Sequence, residues 1–328
     1  MLLMKIEETA VILHNRIYDN APEDVLDIMR QAKWLEKILK DFGYNVFLLP
    51  FSPECISTLS ILKAATPLLV INLVDSAPGE ENLSYLASGI LEYLKIKYTG
   101  CSMKSLFLTT DKMFTKRLLD SAGVRTPEWV YANEVHNFSS GRNYIIKALC
   151  EDASIGLSDK SVIFVNSLSE LHEAMNEREK AIGKEVFAER YIEGREFNVC
   201  MYGNRNEPKI LPPYEWIFEG FDEQKKIKIF TYDAKWTENT FEYDHVKADY
   251  HLPEKDSVLL SELEAIARKC WEKFELKGYA RLDFRIDSEG KPWVLEINCN
   301  PSLYGYRNIA REKGMEFNSI FKNIIEAE

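Results

Sequence analysis

Over the first hundred residues, short apolar runs alternate with stretches whose apolar positions recur every three to four residues. Residues 10–14 read as a buried strand, 23–42 as an amphipathic helix ended by Gly43, and 44–51 as a second strand. A further helix, a strand over 68–73 and a helix over 83–94 continue the alternation. Strands separated by helices of this length predict a small parallel sheet with crossover helices.

The pattern changes at Tyr98-Thr99-Gly100, where a second region begins. Thr110 or Asp111 can cap a helix that stops at Gly123 and is followed by Pro127. Strands over 144–149, 162–165 and 185–192, a polar loop at 151–160 and a helix capped by Ser167, with Glu170 three residues on, make a compact α+β unit. From Arg195 a third region begins. Its charged stretch 219–228 and weakly periodic stretch 237–253 predict a long mobile connection, before a helix over 257–274. The organisation read from these shifts is an N-terminal unit 1–108, a central unit 109–193 and a C-terminal unit 194–328. The first is Rossmann-like but lacks a Gly-x-Gly-x-x-Gly turn.

Residues 278–298 carry the sharpest chemistry. They read as two strands about a Gly-containing turn at 287–291. Alternation puts Leu282, Phe284 and Ile286 on one face with Leu295 and Ile297, and Arg281, Asp283, Glu296 and Asn298 on the other. The simplest register sets Asp283 opposite Glu296, a like-charged pair that is destabilising unless something offsets it. Two carboxylates and an amide oxygen form the hard-oxygen set that suits magnesium bridging nucleotide phosphates. The same residues also suit an ordinary solvent-facing sheet surface. A proton-sharing dyad fits less well, because Arg281 and Asn298 favour the ionised forms.

Upstream, Lys147 interrupts an apolar strand, which requires either an anion such as a phosphate or a place at a sheet edge from which the side chain reaches water. Ser154, Gly156 and Ser158 follow in a loop whose backbone N–H groups could close over phosphate oxygens, or which is a plain turn. Glu189-Arg190-Tyr191-Ile192 ends a strand that Gly194-Arg195-Glu196 breaks, as at a hinge. Glu196 suits ribose hydroxyls or a surface ion pair.

Composition narrows the classes. A net charge of -11 with no Lys/Arg block argues against nucleic acid, and 46% hydrophobic residues argue for a chain folded throughout. Six scattered cysteines without CxxC or zinc-finger spacing read as reduced thiols. The N-terminus turns acidic before any signal-peptide core, and the apolar run 67–74 is too short to span a bilayer, so a cytoplasmic location away from membranes is expected.

These blocks, with Asp111-Lys112, Thr115-Lys116, Ala234-Lys235 and the run from Gly123 to Pro127, resemble in order the ATP-grasp superfamily and its D-alanine:D-alanine ligase-like branch over about residues 98–300. The resemblance implies an α/β and α+β ATP-grasp fold with a Rossmann-like N-terminal domain, a central lid domain and a C-terminal domain. It implies a ligase that activates a carboxylate as an acylphosphate with ATP and two Mg²⁺ ions, Mn²⁺ substituting, and joins it to an amine of an amino acid or peptide. It further implies that Lys112 and Lys147 hold phosphates, with Ser154 and Gly156 closing over them. Glu189, Arg190, Tyr191 and Ile192 would receive the adenine edge and Glu196 the ribose. Lys235 would reach the γ-phosphate, Asp283, Glu296 and Asn298 would hold metal, and Arg281 would stabilise the acylphosphate and tetrahedral intermediate. A homodimer through the N-terminal region is also implied.

Two stretches depart from the family pattern. His14 to Asn20 replaces a Gly-Gly turn with Ser-x-Glu, and Asn298 to Arg307 replaces a run of small hydroxyl residues. Asn15, Arg16 and Asp19 on the first stretch, and Ser302, Tyr304 and Arg307 on the second, become candidate substrate contacts. Arg307 suggests an acceptor bulkier or more acidic than D-alanine. The competing class is a nucleotide-binding module that has lost ligation and acts in regulation or assembly.

Overall fold

The computed structural model describes residues 8–51, 56–76, 81–150, 154 and 156–327. The first unit is a parallel sheet of β1 (Thr9–Asn15), β2 (Asn45–Phe51), β3 (Leu69–Asn72) and β4 (Tyr98–Thr99) in the order β2-β1-β3-β4. Three helices cross between them: α1 (Glu23–Asp41), α2 (Ile56–Ala65) and α3 (Tyr85–Leu94). Helix α1 forms because Ala32, Leu35 and Leu39 recur at three and four residues and bury one stripe, while Glu23 and Asp24 sit favourably at its positive end. Tyr98 and Thr99, expected to open the second region, instead complete this first sheet.

Two helices the pattern did not separate come next, α4 (Met103–Thr110) and α5 (Lys112–Ser121). Asp111 is the residue that caps α5, accepting from Met113 N at 2.7 Å and Phe114 N at 3.1 Å. The central unit is a five-stranded sheet of β5 (Trp129–Tyr131), β6 (Glu134–His136), β7 (Arg142–Ala148), β8 (Val162–Val165) and β9 (Val186–Arg190), ordered β6-β5-β9-β7-β8. Helix α6 (Leu168–Ile182) covers it, started by Ser167 and stopped by Gly183 at positive φ. Its core, from Val130 to Ala188, is its own.

The third unit is built on β10 (Arg195–Gly203), β11 (Pro208–Ile210) and β12 (Tyr214–Phe218). The stretch 237–253 is not the structureless connection expected: after α7 (Tyr232–Trp236) it holds α8 (Phe241–His245) and the edge strand β13 (Val246–Asp249). Aromatic packing of Phe218, Phe221 and Phe241, which carries no regular period, orders it. Helix α9 (Ser257–Lys273) leads into β14 (Gly278–Ile286) and β15 (Pro292–Asn298), giving the order β13-β12-β10-β14-β15 with β11 beside β10.

Helices α10 (Leu303–Glu312) and α11 (Phe317–Glu326) pack in one core with α1, the first sheet, and Cys200, Tyr202 and Tyr279 of the third. The buried Tyr306 hydroxyl lies 2.7 Å from both Met201 O and Ala280 O, so its proton is shared between β10 and β14. Gly278 has φ +70°, and a Cβ there would lie 2.6 Å from Gly100 O, so only glycine lets the first and third units approach this closely. Among the described residues no helix is long and apolar enough to cross a membrane, and Cys101, Cys200 and Cys270 are free thiols.

Candidate functional site

Asp283 does face Glu296 across the β14–β15 hairpin. The register then slips: Phe284 pairs with Val294, so Leu295 is an extra residue, a β-bulge. Strict alternation put Leu295 on the core face. The bulge instead turns it into the cavity beside Glu296, while Val294 takes the buried place. The core face therefore holds Leu282, Phe284, Ile286, Val294 and Ile297.

That cavity, with about 1050 Å³ of empty space, lies between the second and third sheets. Lys147, Glu189, Arg190, Tyr191 and Ile192 come from the second unit, with Lys112 from α5. Glu196, Arg281, Asp283, Glu296 and Asn298 come from the third, with Lys235 from α7. Ser154 closes one edge, where its hydroxyl donates to Phe230 O at 2.6 Å. Gly156 is not at the wall; its Cβ position faces Ile182 and Arg178 of α6. Residues 151–153 and 155 of that loop lie outside the described residues, as do the N-terminal residues 1–7 and Cys55.

Charge is arranged in pairs. Arg281 grips Asp283 with two hydrogen bonds, 2.6 Å from Nε and 2.8 Å from Nη2. Burial works against the guanidinium charge, but Asp283 outweighs it and raises Arg281 well above its ordinary range. Lys235 is opposite in sense: burial, with the Arg281 charge adding to it, lowers its pKa against the pull of Glu296 and Asp283. Lys112 Nζ lies 3.9 Å from Glu296.

The anion that Lys147 meets is Glu189, at 2.6 Å. Lys116, 1% exposed, reaches the other Glu189 oxygen at 2.5 Å and also donates to Thr126 Oγ1 and Pro127 O. Burial pulls Lys116 below its ordinary range, while the two ammonium groups hold Glu189 ionised against its own burial. The Glu189 carboxylate is thus committed to two lysines, and the cavity's hinge side is left to Tyr191 and Ile192. Arg190 turns to Glu128 and lies 4.5 Å over the Trp293 ring.

None of the six substrate candidates lines this cavity. Asn15 is buried at the end of β1, donating to Asp75 and to Ser76 Oγ, and Arg16 is exposed. Ser302 caps α10 and donates to Gln31 at 3.0 Å, while Tyr304 stacks on Trp34 and the Arg307 guanidinium lies over both rings. These contacts dock α10 on α1. A smaller cavity adjoins instead, lined by Asp75, Ser84, Thr109, Thr110, Asn300 and Asn298, and Asn298 belongs to both.

The sequence reading passed over residues that the geometry brings in. Asn198, directly opposite Asp283 in the β10–β14 register, donates to it and accepts from Trp216 Nε1. Arg285, 3% exposed, pairs with Glu196 at 2.7 Å. Both were readable as odd-one-out polar residues at the parity of Asp283 and Glu196.

The chain is similar to known proteins. The family described as D-ala D-ala ligase C-terminus matches residues 123–326. A D-alanine–D-alanine ligase of Aquifex aeolicus is 30% identical, covering 90% of this chain and 94% of that protein. The Sinorhizobium fredii protein y4sG is 27% identical over 88% of this chain and 84% of its own length. Among solved structures, a D-alanine–D-alanine ligase from Bacillus anthracis complexed with ATP superposes with a TM-score of 0.69 at 18% identity, covering 98% of this chain and 97% of that one. D-alanyl-alanine synthetase A from Vibrio cholerae gives 0.68 at 15% identity, covering 98% of each.

Proposed function

The chain belongs to the D-alanine–D-alanine ligase family of ATP-grasp enzymes, and we propose that its large cavity holds Mg-ATP while donor carboxylate and acceptor amine meet at the Asn298 end, in the smaller cavity. The protein is an ATP-dependent carboxylate-amine ligase acting on small molecules, with ATP and magnesium as cofactors. The observation that carries the placement is one cavity in which Lys112, Lys147, Lys235 and Arg281 surround Asp283, Glu296 and Asn298. Free thiols at the buried Cys101, Cys200 and Cys270 support a cytoplasmic location.

Asp283, Glu296 and Asn298 fit a magnesium site by their hard oxygen donors and shared cavity wall. An ionised carboxylate offers about four lone-pair positions, so the Arg281 clamp on Asp283 does not exhaust it. Bound magnesium would neutralise and orient the phosphates. Lys112 and Lys147 hold phosphate oxygens, Tyr191 and Ile192 flank the base, and Lys235 offsets charge on the transferring phosphoryl. Arg281, held in line by Asp283, stabilises the acylphosphate and the tetrahedral intermediate that the amine forms from it. The work is positioning and charge neutralisation, with no enzyme nucleophile.

The reading is tested by incubating the protein with Mg-ATP and pooled D- and L-amino acids and short peptides, following phosphate release and new amide masses together. Substrate-dependent release with a ligated product supports it and names the substrates. Tight Mg-ATP binding with no release for any amine would favour the non-catalytic nucleotide-binding module.

Lys235 also sets an expected pH response. Its proton is lost below the range of an ordinary lysine, about 10.4. Only the cation can hold the γ-phosphate, so kcat/KM for ATP should fall as pH rises through that lowered value. Lys235→Arg, which keeps its charge, should move the alkaline fall upward. A pH profile whose alkaline limb is identical in both proteins would assign it to another group.

A further inference from the structure

Arg285 is a buried guanidinium on β14 whose contacts all lead away from its own strand. It pairs with Glu196 Oε2 at 2.7 Å, donates to Gly194 O at 3.0 Å, and donates to Lys228 O. Its guanidinium carbon lies over the Tyr191 and Phe218 rings, 5.6 and 5.7 Å from their centres. Tyr191 donates to the same Lys228 carbonyl at 3.1 Å. Gly194 has no alternative residue: a Cβ there would lie 1.9 Å from Ile286 O.

We propose that Arg285 is a positioning residue for the nucleotide sugar, presenting Glu196 to a ribose hydroxyl and tying that contact to the 219–231 segment that leads into Lys235. The proposal rests on the reading of Glu196 as the ribose contact. The Arg285 ion pair is closest at Oε2, and one such pair leaves lone-pair positions of the ionised carboxylate open. The carboxylate lines the cavity at 8% exposure, so an acceptor oxygen is held at the wall without being consumed. A buried carboxylate left without its cation would turn toward water, which moves the acceptor off the wall. A lysine could supply charge but not the planar fork that reaches one carboxylate and two carbonyls together.

The test needs no knowledge of the ligation substrates. Calorimetric Kd values for ATP, 2′-deoxy-ATP and 3′-deoxy-ATP, with magnesium present, are compared in wild type, Arg285→Met, Arg285→Lys and Glu196→Gln. Loss of the hydroxyl bonded to a carboxylate should weaken wild-type binding by roughly ten- to a hundredfold. Arg285→Met should collapse that ratio to about threefold or less, with Arg285→Lys between, because a lysine keeps the charge without the fork. A pure brace would weaken all three nucleotides equally and keep the wild-type ratio, which overturns the proposal. Should Arg285→Met fail to fold by its melting curve, an unchanged ratio in Arg285→Lys overturns it and an intermediate one supports it. Glu196→Gln separates the two layers. If it keeps wild-type discrimination, the ribose reading itself falls; if it loses discrimination while both Arg285 variants keep it, only the role of Arg285 falls.

Discussion

Glu296→Gln is expected to slow ATP-dependent phosphate release by on the order of 10²–10³-fold, the size of effect that follows loss of one electrostatic partner of a transition state. Glutamine keeps the shape of the side chain and removes the charge that, with Asp283 opposite, would hold a divalent cation in the proposed site. Lys112 Nζ lies 3.9 Å from Glu296, beyond hydrogen-bond reach, so loss of this contact should cost little in melting temperature. Asp283→Asn should differ. It also breaks the two-point grip on Arg281 and leaves a partly buried guanidinium without its counter-ion, so activity and melting temperature should fall together. Phosphate-release assays at rising magnesium, beside thermal melts, check both. A Glu296→Gln enzyme within about threefold of wild type, with the same magnesium requirement, would remove Glu296 from the metal site.

The second large effect is on stability. Lys116→Met should cost about 3–5 kcal/mol, because it takes one of two cations from a carboxylate that is itself 1% exposed. Thr126 Oγ1 and Pro127 O lose a donor in the same step. Urea unfolding measures the cost. Adding Glu189→Gln should recover part of it, since the uncompensated charge is then gone. If the single variant shifts stability by less than about 1 kcal/mol, the buried pair is not what holds α5 to the second sheet.

Much of this site could be read from residue parity. The polar face shared by Asp283 and Glu296 could be read from a two-residue period, although the turn register, Ile286 opposite Pro292, would without the bulge set Asp283 against Leu295. The bulge at Leu295 could not, because one inserted residue leaves every neighbour's hydrophobicity unchanged and merely reverses the faces beyond it. Arg285 shares the parity of Arg281 and Asp283, but its meaning depends on carbonyls at 194 and 228, which no local pattern announces. Lys116 follows Lys112 by four residues on one helix face, yet its partner is more than seventy positions away. The α10 candidates failed for the converse reason. Ser302, Tyr304 and Arg307 look like ligand-binding types, but α1 supplies Gln31 and Trp34 to satisfy them.

The β5–β9 unit keeps a hydrophobic core separate from the one that joins the other two sheets. Such a unit can open as a local cooperative block, exposing its amides to exchange while the rest of the molecule stays closed. On the proposed placement, a nucleotide held by Lys147 on one side and by the hairpin on the other would bind only when the block is shut. Its binding free energy, RT ln(1 + [L]/Kd), is then added to the closing of that block. Nucleotide therefore acts on amide protection in β7 and β9 as a splice between two cores, and slows exchange there more than in β1, which is already locked by α1.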